Sequence, residues 1–261
     1  MSSSPSLYVD RDTFLHRLNA RSKLALLVGV FVTVYVFGDP LWVFVPLAAT
    51  FAALLLVGGW ANFKRLSFIV AALFLVGFAV WPAFAESGGP VLLETPLGTL
   101  TERELLFALG RSERIAAFIV GGLLFVTTTS NEEIVAGMRS LGFPYAFCFA
   151  VGTALRLFPT FLGSANTVRQ AQAARGHEVG GGNPVETLRS YIPLLIPVFM
   201  TAIRNVQTQA MALEARGFDT RGDRTFYDRQ PFGPTDWAVA AFGLALVVGS
   251  IYLRLQGYGT V

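Results

Sequence analysis

Two stretches of this chain close on the same three residues, Ala174-Arg175-Gly176 and Ala215-Arg216-Gly217. Each follows a run of small and amide side chains, Gln170-Ala171-Gln172-Ala173 in the first and Gln209-Ala210-Met211-Ala212-Leu213-Glu214 in the second. The chemistry such an ending can do is recognition of an anion. Alanine keeps the helix narrow, and glycine just past the last turn allows the left-handed cap. Arginine sets a planar, five-donor fork beside the terminal carbonyls, ready for a carboxylate. One such end would be an ordinary basic cap that suits the helix dipole. Two with matching lead-ins, 41 positions apart, point to a repeated docking device.

Catalytic constellations are missing. The only lysines are Lys23 and Lys64, and neither follows a glycine, so the phosphate cradle of a nucleotide-hydrolysing chain has no counterpart. His16 and His177 are isolated, without the spacing of a zinc hydrolase, and read as interfacial histidines. Asp219, Asp223 and Asp228 could be imagined around magnesium, but Gly222 and the interspersed arginines read better as a solvated, charge-paired loop. A single cysteine, Cys148 in an apolar run, excludes an intramolecular disulfide and reads as core filler. No catalytic residue, cofactor or metal site is expected.

The elements that must position the two arginines lie in an apolar chain. Of its 261 residues 53% are hydrophobic and 14% charged, with a mean hydropathy of +0.55; soluble domains average about 25% charged. This composition predicts an all-α integral membrane protein. Leu24 to Phe37, Leu41 to Gly59, Leu66 to Ala85, a helix from Thr101 to about Thr127, and Trp237 to Leu253 are the predicted spans, about five. Between the third and fourth, a loop to Leu100 carries Glu86 and Glu94 but no basic residue, and is expected outside. Thr101 with Glu104 and Ser130 with Glu133 have capping-box spacing. Arg111, Glu113 and Arg114 near the start of the fourth span are expected to satisfy one another. Tyr145 to Arg175 reads as one very long helix. A second runs from Asn183-Pro184 to Arg216, bent at Pro193 and Pro197.

Charge placement orients the chain. With the N-terminus in the cytoplasm, sixteen of the 20 lysines and arginines lie on that side, ten of them between Arg139 and Arg229. Were Pro144 to Gly163 to cross alone, Arg169 to Arg229 would move outside, and the proline-broken Tyr191 to Ile203 is a poor return span. The expected organisation is a four-helix membrane region over 1–128, a cytoplasmic domain of long coupling helices over 129–233, and a last membrane helix with its tail over 234–261. The net charge of +3 and pI near 9.2 follow from that bias and need no nucleic-acid partner. Met1 to Asp12 has no compact apolar stretch, so no cleaved signal peptide is expected.

Further stretches carry a family likeness. Arg17-Leu18-Asn19-Ala20-Arg21-Ser22-Lys23-Leu24, Thr127-Thr128-Thr129-Ser130-Asn131-Glu132-Glu133, Leu141-Gly142-Phe143-Pro144 and Gln209 to Phe218, with the paired Ala-Arg-Gly ends, resemble in order the transmembrane T component (EcfT/CbiQ-type) of energy-coupling-factor ABC transporters. The resemblance covers most of the chain. It implies a plasma-membrane, multi-pass coupling subunit that uses Ala174, Arg175, Gly176, Ala215, Arg216 and Gly217 to dock two ATP-binding cassette ATPase subunits. It also implies a separate substrate-binding S component in the bilayer, taking up a vitamin or a transition-metal ion. Selectivity would then reside in that other polypeptide. The competing class is a membrane enzyme acting on an anionic lipid or phosphorylated substrate, for which the chain offers no paired carboxylates or histidine base. A self-sufficient carrier would call for inverted repeats of spanning segments.

Overall fold

The computed structural model describes residues 8–84, 90–95, 98–176, 183–218 and 232–259. In chain order the elements are α1 (Phe14–Arg17), α2 (Ala20–Val36), α3 (Pro40–Val57), α4 (Trp60–Val80, extended by a 3-10 turn over Trp81–Phe84), β1 (Val91–Thr95) and β2 (Gly98–Thr101). They continue with α5 (Glu102–Thr128), α6 (Asn131–Ser140), α7 (Tyr145–Ala174), α8 (Pro184–Ser190), α9 (Ile192–Ala215) and α10 (Pro234–Leu255). The chain divides into two compact units, Met1–Leu141 with Gln230–Val261, and Gly142–Arg229.

In the first unit the local sequence sets where helices begin. Asp39 accepts from the Leu41 amide at 2.9 Å, with Pro40 in the first helical position of α3. Thr101 and Glu104 close a reciprocal capping box at α5, and Ser130 and Glu133 close another at α6. The α3–α4 turn rests on Gly58 at φ 84°, a left-handed conformation that favours glycine. Among the described residues four helices are long and apolar enough to cross a membrane: Pro40–Val57, Trp60–Phe84, Tyr145–Ala174 and Pro234–Leu255. The protein is therefore a multi-pass membrane protein.

Helix α5 is the hub, packed on α2, α3 and α4, while α10 packs along α2. Contacts at the two ends give the directions. Ser22 meets Asp236 and Thr33 meets the Leu246 carbonyl, so α2 and α10 are parallel. Lys23 meets Thr128 while Arg114 meets Val34, so α5 runs against α2. Asn62 meets Thr127, and Gly77 lies against Ser112, so α4 also opposes α5. Apolar contact fills the interior in two clusters, one around Val34, Val43 and Ala117, the other around Leu54, Val120 and Leu123. Lipid is as apolar as leucine, so close backbone approach through small residues matters more here than burial. A Cβ on Gly29 would sit 2.6 Å from the Gly243 oxygen, and one on Gly243 2.7 Å from the Ala25 oxygen.

Three expectations need correction. The segment ahead of α5 is not a plain loop: β1 and β2 pair antiparallel, Thr95 opposite Gly98 and Val91 opposite Thr101, as their apolar and β-branched residues with a single charge favour extended backbone. The second long helix is not one bent rod. It breaks at Tyr191, since Pro193 has no amide to offer the preceding turn and instead starts α9. Finally, α4 begins at Trp60, so Lys64 and Arg65 lie within its opening turns rather than ahead of it.

Replacing Gly29 by leucine should force α2 and α10 apart and cost roughly 1–3 kcal/mol, as overpacking of a close contact does. A Cβ on Gly122 meets nothing within 4 Å, so Gly122→Ala should leave the protein unchanged. Thermal unfolding of the two variants in detergent checks the contrast.

Candidate functional site

In the second unit, α7 and α9 run antiparallel: Gln172 donates to the Pro193 carbonyl at 3.3 Å, while Phe218 packs on Phe149 with centroids 4.7 Å apart. The two Ala-Arg-Gly ends therefore lie at opposite ends of the helix pair, about 35 Å apart at 1.5 Å per residue. Their backbones are near copies. Arg175 sits at φ −89°, ψ 9° and Arg216 at φ −88°, ψ 7°. Gly176 and Gly217 follow at φ 80° and 68°, each donating its amide three residues back at 2.9 Å, to Ala173 and Glu214.

At the second end the Phe218 amide also returns to the Leu213 carbonyl at 3.0 Å, which completes a Schellman cap. A Cβ on either glycine would meet nothing within 4 Å, so the requirement for glycine is conformational and not one of space. Ala174, Arg175, Gly176, Ala215, Arg216 and Gly217 are all exposed, and neither arginine forms an ion pair among the described residues. Among the described residues, each end presents a guanidinium with no ion pair, at a helix terminus where carbonyls of the last turn are already bonded.

The structure also assigns partners to residues that sequence reasoning left without any. Lys23 is 5% exposed, and its ammonium donates to the His16 carbonyl at 3.2 Å, the Thr128 carbonyl at 2.7 Å and Glu133 at 3.0 Å. Three N–H donors thus meet three acceptors. Glu133 is at the same time the capping-box acid of α6, so one cation ties α1, α2, α5 and α6 together. On the other side of α2, Asp236 accepts from the Asn19 amide at 2.7 Å, the Ser22 hydroxyl at 2.8 Å and the Gly233 amide at 3.0 Å, capping α2 and α10 with one carboxylate. The local signal that could have found Asp236 as a cap is a proline at the first helical position with an acid two residues later. Its second client, more than two hundred residues upstream, leaves no local trace.

The charges in α5 do not satisfy one another as expected, and among the described residues Glu113 Oε2 is buried without a hydrogen-bond partner. Arg114 does not pair with Glu113. It donates to the Val34 and Phe37 carbonyls at 3.1 and 2.6 Å, capping the C-terminus of α2, and Arg111 lies 4.9 Å from the Phe107 ring centre. An arginine fork suits exposed helix-end carbonyls, whereas a neighbouring residue on the same helix points away from them. His16 is buried rather than interfacial, bonded through Nδ1 to Thr13 at 2.7 Å and edge-on to Tyr8. At the end of α1, Arg17 grips both oxygens of Asp12, which lies ahead of the helix, at 2.6 and 2.7 Å, a bond that holds the exposed Asp12 carboxyl below the usual carboxylate range.

Cys148 is buried, as a core filler should be. Among the described residues no three of His, Cys, Asp and Glu cluster as metal ligands. His177, Asp219, Asp223 and Asp228 lie outside the described residues.

Lys23→Met should be the costlier of two substitutions, about 3 kcal/mol or more, because it strands Glu133 and two carbonyls together. Glu133→Gln, which keeps an acceptor, should cost on the order of 1 kcal/mol. Denaturation of both variants in detergent measures the difference.

With the geometry of the two matched, exposed arginine ends in hand, the chain can be set against known proteins. The profile of the CbiQ family, described as cobalt transport protein, matches residues 11–227. The energy-coupling factor transporter transmembrane protein EcfT of Bacillus selenitireducens is 27% identical over 258 residues, covering 96% of each chain. That of Staphylococcus aureus is 28% identical over 231 residues, covering 84% of this chain and 85% of its own, and that of Brevibacillus brevis is 28% identical over 254 residues, covering 92% and 94%. Spanning most of this chain and most of those relatives, the match shows that the chain belongs to the CbiQ/EcfT family, the non-catalytic transmembrane components of energy-coupling-factor ABC transporters.

Proposed function

We propose that this subunit couples two ATPase subunits to a separate substrate-binding membrane protein, with Arg175 and Arg216 as the two contacts, for uptake of a vitamin or a transition-metal ion. The observation that carries the reading is the duplication of one exposed, arginine-bearing cap at opposite ends of the α7–α9 pair. A separation of about 35 Å suits two partners better than one, since a single groove accepts a single helix end. Small residues before each arginine permit close approach, and an acidic groove would supply the carboxylate. The same helices carry an apolar stripe with no partner. Ile192, Ile196, Phe199 and Ile203 recur at helical spacing on α9 and are exposed, a face suited to the substrate-binding membrane protein. Closure of the ATPases on ATP would shift the two helix ends relative to each other, and the stripe would pass that shear on.

In this reading five helices of the first unit, α2, α3, α4, α5 and α10, span the bilayer, and the N-terminus and the unit from 142 to 229 are cytoplasmic. At 17 residues α2 is about 26 Å long, short for a span but snorkelling Arg21 can extend it. Helix α7 also passes on length and composition, but its mean hydropathy of 1.5 is below the 1.9 to 2.2 of the other three. The positive-inside bias favours keeping it, with the arginines that follow, in the cytoplasm.

Cysteine labelling separates the topologies. In a Cys148→Ser background, Arg169→Cys and Gln207→Cys should react with an impermeant maleimide only once the cytoplasmic side is opened, and Gln256→Cys in intact cells. The reverse pattern would discard this topology.

For the coupling contacts, Arg175→Ala or Arg216→Ala should impair uptake, by about 2–5 kcal/mol of binding if the pair is desolvated. The Arg175→Glu, Arg216→Glu double variant should lose its ATPases on co-purification. Arg169→Ala and Arg189→Ala, at exposed positions outside the motifs, should transport normally. Normal transport by the double glutamate variant would reduce both motifs to helix caps.

A further inference from the structure

A groove of about 550 Å³ opens between α3 and α10, floored by α2. Its origin is steric. Helix α10 seats on α2 through the Gly29–Gly243 contact, α3 seats on α5, and neither fills the space left between them. The groove is lined by Val30, Pro46, Ala49, Leu246, Gly249 and Leu253 among others. The hydroxyls on its walls are spent: Thr33, Thr50 and Ser250 donate to carbonyls of their own helices at 2.8, 2.8 and 2.9 Å. A water-soluble ligand finds nothing there to bond.

Size narrows the occupant. A partner helix 10 Å wide and as long as α2 would need about 2,000 Å³, several times the space present. A narrow apolar groove of this size running along α2 suits a single acyl chain, which needs no hydrogen-bond partner.

The mouth near the C-terminus of α2 has headgroup chemistry. Trp42 stacks on Phe37 with centroids 4.9 Å apart and lies 6.4 Å from Tyr258, the residue types that gather at membrane–water interfaces. Arg254 stands one turn beyond the groove-lining Ser250 on α10. It is exposed and commits Nη1 to the Gly259 carbonyl at 3.1 Å, leaving guanidinium N–H groups for a phosphate. The acid in this corner, Asp39, is engaged at the Leu41 amide. We infer that the groove between α3 and α10 binds one bilayer phospholipid, its acyl chain lying along α2 and its phosphate on Arg254. The inference needs only the membrane setting and is independent of the coupling role of Arg175 and Arg216.

The test uses the full chain extracted in mild detergent, with bound phospholipid counted by native mass spectrometry. A Cβ on Gly249 meets nothing within 4 Å, so Gly249→Phe should place its ring in the groove without displacing backbone. Gly122→Phe, at an equally open position away from the groove, is the matched control. One phospholipid per wild-type chain is expected. Occupancy should fall at least 10-fold in Gly249→Phe, stay unchanged in Gly122→Phe, and fall several-fold in Arg254→Gln, with all variants retaining wild-type circular dichroism. A wild type with no stoichiometric lipid, or equal retention in Gly249→Phe, overturns the site. Unchanged retention in Arg254→Gln overturns the phosphate contact and so the assignment to a phospholipid. An Ala49→Cys crosslink between two copies would give the groove to a second chain instead.

Discussion

A lysine ammonium taken out of water must be given acceptors on every side, and the base of the helical bundle is built around meeting that demand for Lys23. Two carbonyls at helix ends and the Glu133 carboxylate supply them. Each acceptor also has a local duty: Thr128 ends α5 and Glu133 starts α6. Removing water from such a group is expensive unless every donor is bonded, so the arrangement is close to all-or-none. Asp236 meets the same constraint with opposite sign, accepting from two helix starts at once. The two charges flank the first turns of α2 and fix where that helix begins, with α5, α6 and α10 placed by reference to it.

The two units spend their polar groups in contrasting ways. In the bundle, Lys23, Asp236 and Arg114 are committed to helix ends, and the apolar residues between them lie in contact. In the second unit the described arginines of the motifs are left out in solvent, and α9 buries none of its side chains. A 24-residue helix with an exposed apolar stripe is poorly stabilised by its own unit, since most helical stability comes from packing one face. The bundle is held by contacts of its own, whereas the helical pair leaves apolar side chains exposed, as the proposed coupling role would require.

The parts legible in the sequence are those decided within a few residues. Thr101 with Glu104 and Ser130 with Glu133 form the boxes their spacing foretold, and Tyr145–Ala174 is a single helix despite Pro159. Both Ala-Arg-Gly ends adopt the left-handed glycine cap that their composition requires. What could not be read depends on distant partners. Arg114 and Glu113 look like a local pair, and only the position of α2 reveals that the arginine serves the Val34 and Phe37 carbonyls. Pro193 and Pro197 signalled a disturbance but not whether the helix would bend or break. The hairpin ahead of α5 has arms of only five and four residues, too short for their strand-forming residues to stand out from a loop.

The parallel contact of α2 with α10 bears on how the protein is made. Helix α2 leaves the ribosome about two hundred residues ahead of α10, the helix it meets through Gly29 and Gly243. Synthesis proceeds N-terminal first, at about 5–20 residues per second, so roughly ten seconds or more separate the two. During that interval the glycine face of α2 stands in the membrane without its partner, and the Ser22 hydroxyl has only the Asn19 carbonyl to bond. Pairings of such long sequence separation form late and slowly. A chain truncated before Asp236 would therefore insert most of its helices and still lack the one that seals the bundle, leaving a species for quality-control proteases to recognise.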